Sequence, residues 1–140
     1  MDEQIAKIED FLEHNNWAED EADFVCLLDE AVDAWIAANA WLEVVEAIFA
    51  LMERHPLVGF GGPGALVHFA EQFDTGYDEL LEQSLERAPT VHTVLMLNRL
   101  INAATEKQAA YIRLMESIAC NDDLHEEIKN AARHFSARLR

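Results

Sequence analysis

His68 and Glu71 stand three residues apart in the run LVHFAEQF. On a helix that spacing brings an imidazole and a carboxylate onto one face, where they can share a metal ion. The chain offers no second pair of this kind, and Val67 and Phe69 mark a packed helix. The expectation is therefore a capping or hydrogen-bonded histidine and no metal. His55 and His92 lie beside helix boundaries marked by prolines, where an imidazole can bond free backbone groups. Either one paired with Cys26 or Cys120 would make a base and a nucleophile, but nothing in their spacing supports the pairing. Paired carboxylates are too common in this chain to single out an acid and a base. The loop GFGG lacks the lysine and preceding strand of a phosphate loop. No catalytic residue, cofactor or metal is expected, and binding is favoured over catalysis.

Charge is the strongest compositional signal. The formal net charge is −17, and residues 1–50 carry fourteen of the 27 acids against one base, Lys7. From Thr90 onward acids and bases nearly balance. A phosphate backbone would be repelled by the acidic half, so direct nucleic-acid binding is not expected. A basic protein would be attracted and steered.

Candidate residues must be positioned by helices, because Ala, Leu and Glu dominate and β-branched runs are nearly absent. The 140 residues suit one all-α domain of about eight antiparallel helices, a HEAT-like small α-solenoid or an irregular helical bundle. It divides into acidic N-terminal helices (1–54), a central loop and helices (55–102) and a C-terminal helix pair (105–140). Asp2 or Glu3 opens the first helix, which stops near His14-Asn15-Asn16. A second runs from about Asp20 toward Asn39 with Phe24, Leu27, Leu28, Ala31, Val32 and Trp35 in period. A third, Ala40 to Arg54, is apolar around much of its circumference and is expected at the centre of the core. Pro63 at a first helical position should open a short helix ending at Phe73, followed by a turn at Asp74-Thr75-Gly76. Pro89 and Thr90 precede a helix to Asn102, Thr105 is expected to cap the seventh, and Asn121-Asp122-Asp123 the eighth.

No run approaches the ~18 apolar residues of a membrane span. The start MDEQIAKIED is neither basic nor apolar, so no signal peptide is expected and the cytoplasm is the expected address. Cys26 and Cys120 are expected to be buried free thiols. Asn98 and Arg99 interrupt the apolar helix LMLNRLIN and need partners. The expectation is that Arg99 bonds loop carbonyls around Gly59–Gly64 and pins the central loop.

The segments GFGGPGALVHFAEQF, YDELLEQS and RAPTVHTVLMLNRLIN together resemble a group of bacterial helical immunity proteins. These accompany polymorphic toxins, including those of contact-dependent growth inhibition systems. The resemblance rests on Phe60, Gly61, Pro63, Gly64, Leu66, Val67, His68 and Phe69, then Tyr77, Leu80, Leu81 and Ser84. It ends on Pro89, Thr90, Thr93, Leu97, Asn98 and Arg99, and in all it spans about a third of the chain. It implies a non-enzymatic protein that binds the C-terminal domain of a cognate toxin and covers its active site. The matched positions read as scaffold, which leaves the acidic face free to be specific to one partner. Many such toxins are nucleases with basic grooves, so the expected contact set is Glu19, Asp20, Glu21, Asp23, Asp29, Glu30 and Asp33. Trp17 would anchor that patch if exposed, although a corner tryptophan more often joins the core. The rival reading is an α-solenoid adaptor that scaffolds an unrelated complex. The oligomeric state is open at this level.

Overall fold

Eight helices and no strand make up the regular structure of the described residues, 2–73, 75–103 and 105–139, in a computed structural model. They are α1 (Glu3–His14), α2 (Glu21–Ala37), α3 (Leu42–Arg54), α4 (Ala65–Glu71), α5 (Tyr77–Arg87), α6 (Val91–Asn102), α7 (Gln108–Ala119) and α8 (Glu126–Ala137). Asp74, placed by its sequence in the turn before α5, and Arg140 lie outside the described residues.

Asp2 opens α1 as expected, its carboxylate accepting from the N–H groups of Gln4 and Ile5 at 2.8 and 3.1 Å. The same carboxylate accepts from the Trp35 indole N–H at 3.1 Å, which ties the end of α2 to the start of α1. α2 stops before Asn39, which takes the left-handed conformation (φ 54°) that asparagine tolerates better than most residues. α3 begins at Leu42, two residues later than Ala40. The chain is still turning at Asn39, and Trp41 stands at the cap with its side chain 68% exposed. α3 is nonetheless central, burying Val44, Val45, Ile48, Phe49, Leu51 and Met52 against α1, α4, α5 and α6.

Pro63 does not open α4. The Gly62–Pro63 peptide is cis, and Gly64 follows with φ 90° and ψ 171°, a conformation essentially confined to glycine. The helix therefore starts at Ala65 and ends at Glu71, with Phe73 beyond it, edge-on to Phe69 at 5.4 Å. A Cβ on Gly64 would run into the Phe60 carbonyl oxygen. Thr90 caps α6 as expected, in a reciprocal box: its Oγ1 accepts from Thr93 N–H while its own N–H donates to Thr93 Oγ1, both at 3.0 Å.

The last two caps differ from expectation. Thr105 lends its carbonyl to the Gln108 N–H, and Lys107 holds the cap position of α7. Asn121 accepts from Asp123 N–H through its side chain and from Leu124 N–H through its carbonyl, so its capacity is used in the preceding turn. His125 caps α8 instead, its Nδ1 accepting from Glu127 N–H at 3.1 Å.

One apolar core runs through all eight helices, from Ile5 and Ile8 through Phe24, Val45, Leu66, Leu81 and Leu97 to Met115 and Ala132, with Phe60 reaching in from the central loop. α6 packs on α3, α5, α7 and α8, and α2 packs on α1 and α4. The architecture is an irregular helical bundle with α3 and α6 as its two hubs. No helix among the described residues is long and apolar enough to cross a membrane.

Candidate functional site

The residues singled out in the central stretch are held by each other, and the holding group is His92 rather than Arg99. His92 is buried, accepts from Phe60 N–H through Nδ1 at 3.2 Å, and places Nε2 3.1 Å from the Pro63 carbonyl. Both bonds are made by the neutral ring with its hydrogen on Nε2; the imidazolium would set a second donor against the Phe60 N–H. Burial pushes the His92 pKa down to about 4, against the pull of the Pro63 carbonyl. Phe60 thus plugs the core with 1% of its surface exposed, its ring edge-on to His92.

Arg99 faces the other way. It donates through Nε and Nη2 to the two carboxylate oxygens of Glu71 at 2.7 and 2.9 Å, joining α6 to α4. A planar guanidinium on a helix surface finds a carboxylate fork more readily than scattered carbonyls, and LMLNRLIN leaves Asn98 and Arg99 half-buried rather than enclosed. Glu71 is thereby occupied. His68 is exposed, with Nδ1 3.8 Å from the Glu71 carboxylate, so it caps nothing and the pair forms no ligand set. Pro89 is half-buried one residue before the cap of α6. Asp10, Glu13 and His14 are the only three potential ligands brought together among the described residues, and all three are exposed. Cys26 and Cys120 are free and exposed, contrary to the expectation of burial. Cys26 falls off the apolar stripe of α2, and Cys120 stands at the C-terminal cap of α7. His55 is held by Glu9 at 2.7 Å.

The acidic face is where the structure departs from what stability needs. α2 turns Phe24, Leu28, Ala31 and Trp35 inward, and its remaining circumference carries Glu21, Asp23, Asp29, Glu30 and Asp33 with no base anywhere on the helix. At about 100° per residue, Asp29, Asp33, Glu30 and Asp23 spread over about 120° of the outer surface. Glu21 lies apart from them, beside Glu19 and Asp20 at the corner leading into α2. All seven are exposed except the half-buried Asp20.

Among the described residues, seven lysines and arginines form ion pairs with acids outside this set. Lys7 pairs with Glu3, Arg54 with Glu9, Arg87 with Glu53, Arg99 with Glu71, Lys107 with Glu82, Lys129 with Asp122 and Arg133 with Glu126. Among the described residues no base lies within ion-pair distance of the seven acids. Asp29 and Asp33 are like charges one turn apart, and Asp33 sits near the negative end of the helix dipole. Each arrangement costs α2 a few tenths of a kcal/mol.

Three large apolar side chains are exposed among the described residues, two of them on α2. Val25 is 44% exposed, Ile36 56% and Trp41 68%. Val25 and Ile36 lie eleven residues apart, about three turns, and border Asp29 on the helix surface. Ile36 and Trp41 meet Phe69 and Phe73 around a shallow cavity of about 260 Å³. Trp41 falls inside the third helix expected from Ala40, but it stands at the cap of α3 instead. The positive φ at Asn39, a residue type that tolerates that angle, redirects the chain just before it.

No protein-family model, curated protein or solved structure matches the chain.

Proposed function

We propose that the chain is a non-enzymatic immunity protein that works in the cytoplasm, binding the C-terminal domain of a cognate toxin and neutralising it through the acidic face of α2. The carrying observation is that, among the described residues, these seven carboxylates have no ionic partner and that α2, which holds five of them, has no base. A helix that accepts like-charge repulsion for no gain in folding points to a gain made elsewhere. The exposed Val25, Ile36 and Trp41 supply apolar contact beside the charges, the usual composition of a protein-binding surface. The partner would be basic, with a nuclease groove the best match, and the acids would stand where its phosphates bind. Three groups first considered for chemistry have other engagements: His92 with the loop, His55 with Glu9, and Glu71 with Arg99.

Calorimetric titration with the toxin-type domain encoded immediately upstream, at low and high salt, tests the reading. Tight binding that weakens steeply with salt is expected. Replacing the seven acids by their amides should weaken it by at least about a hundredfold, most of it through a slower association. Binding that ignores both salt and the amides would move the interface to another face. No binding would favour the adaptor reading.

A further inference from the structure

Resting on the reading above, we infer that the cavity between the first turns of α2 and the central glycine loop is the socket for one basic side chain of the partner, an arginine or lysine. The cavity has a volume of about 230 Å³ and is walled by Trp17, Phe24, Val25, Leu28 and Phe60, with loop backbone from Gly59 to Gly62 closing one side. Among the described residues, Glu21 is the one ionisable residue in its lining. The Trp17 ring packs against Gly59 so closely that a Cβ there would meet it at 3.2 Å, so the indole wall is held in place by the loop. The loop in turn is held from beneath by the bond from Phe60 to His92. The socket is therefore braced on one side by the loop and, through Phe60, by α6.

Charge selects its occupant. An aliphatic side chain would fill the walls but gain nothing from Glu21. A long basic side chain lays its methylenes along Val25 and Leu28 and brings its cationic head to the Glu21 carboxylate and the Trp17 face. Glu19 and Asp20 stand next to Glu21 at the corner leading into α2 and have no ion-pair partner among the described residues, which raises the local concentration of cations at the mouth. This assigns different work to two parts of the contact set. The outward acids of α2 steer, and Glu21 receives.

The probe is N-acetyl-arginine methylamide, titrated into the isotope-labelled full chain and followed by NMR, with the uncharged N-acetyl-norleucine methylamide beside it. The arginine probe should bind in the millimolar range and shift the Trp17 indole N–H and the Val25 and Leu28 methyls. Glu21→Gln should weaken it about fivefold or more, while Asp29→Asn should leave it unchanged. Equal binding of the norleucine probe would overturn the assignment, as would shifts confined to other residues or none up to tens of millimolar. Failure here with salt-dependent toxin binding intact would remove the socket and leave the acidic-face reading standing. Probe binding at Trp17 with a toxin indifferent to the seven amides would do the reverse.

Discussion

His92 shows how much one side chain can decide. Its neighbours Val91 and Thr93 belong to an ordinary helix start, yet its two ring nitrogens hold both shoulders of the central loop. Its depressed pKa has a consequence with a definite sign. Between pH 6.5 and about 4 the unfolded chain binds a proton at this site that the folded chain refuses, so stability is full above that window and is lost as the pH falls through it. The contribution is of the order of 3 kcal/mol across the window. Relief of self-repulsion between carboxylates acts in the opposite direction, so the comparison must be with a variant. His92→Asn, which can still accept from Phe60 N–H, should be less stable at pH 7 but lose less stability by pH 4.5 in urea unfolding. An unchanged pH slope in the variant would dissociate His92 from the acid sensitivity.

At the scale of elements, helix starts are where local rules and tertiary demands meet. α6 begins where the rules say it should, because Thr90 and Thr93 satisfy each other's backbone groups with no outside help. Thr90 is buried, so no water can replace a lost bond. Thr90→Ala should therefore cost about 1–2 kcal/mol in urea denaturation, and Thr90→Ser less than half of that. A loss below about 0.5 kcal/mol would show that packing alone holds this start. α8 makes the contrasting case. Lys129 lies on its inward side, 8% exposed, and reaches back to Asp122 at 2.9 Å, so the turn expected to cap the helix is fastened to it by a salt bridge instead. The attraction of Lys129 also holds the Asp122 carboxyl below the usual range.

For the whole molecule, the unmatched charge is a stress that the fold carries. Replacing the seven acids by amides takes the formal charge from −17 to −10. If these acids serve a partner and not the fold, the variant's thermal midpoint should equal or exceed the parent's at low ionic strength. There charges interact over about 30 Å at 0.01 M salt, and the difference should shrink as salt rises. A lower midpoint in the variant, by scanning calorimetry, would mean that the acids hold the structure and would undercut their assignment to binding.

The sequence by itself determined the all-helical class, the eight helices with most of their boundaries, and the inward stripe of α2, because these follow from periodicity and from caps acting within four residues. It also marked the acids of the first 50 residues as the unusual feature. Only the tertiary structure decided who partners whom. That Arg99 takes Glu71, that His92 holds the loop, and that Trp41 faces outward depend on residues about 30 positions away or on a single backbone angle. Whether an acid is matched or unmatched likewise depends on where distant bases fall once the helices pack. Charge can be counted along a chain, but its neutralisation is a property of the folded surface.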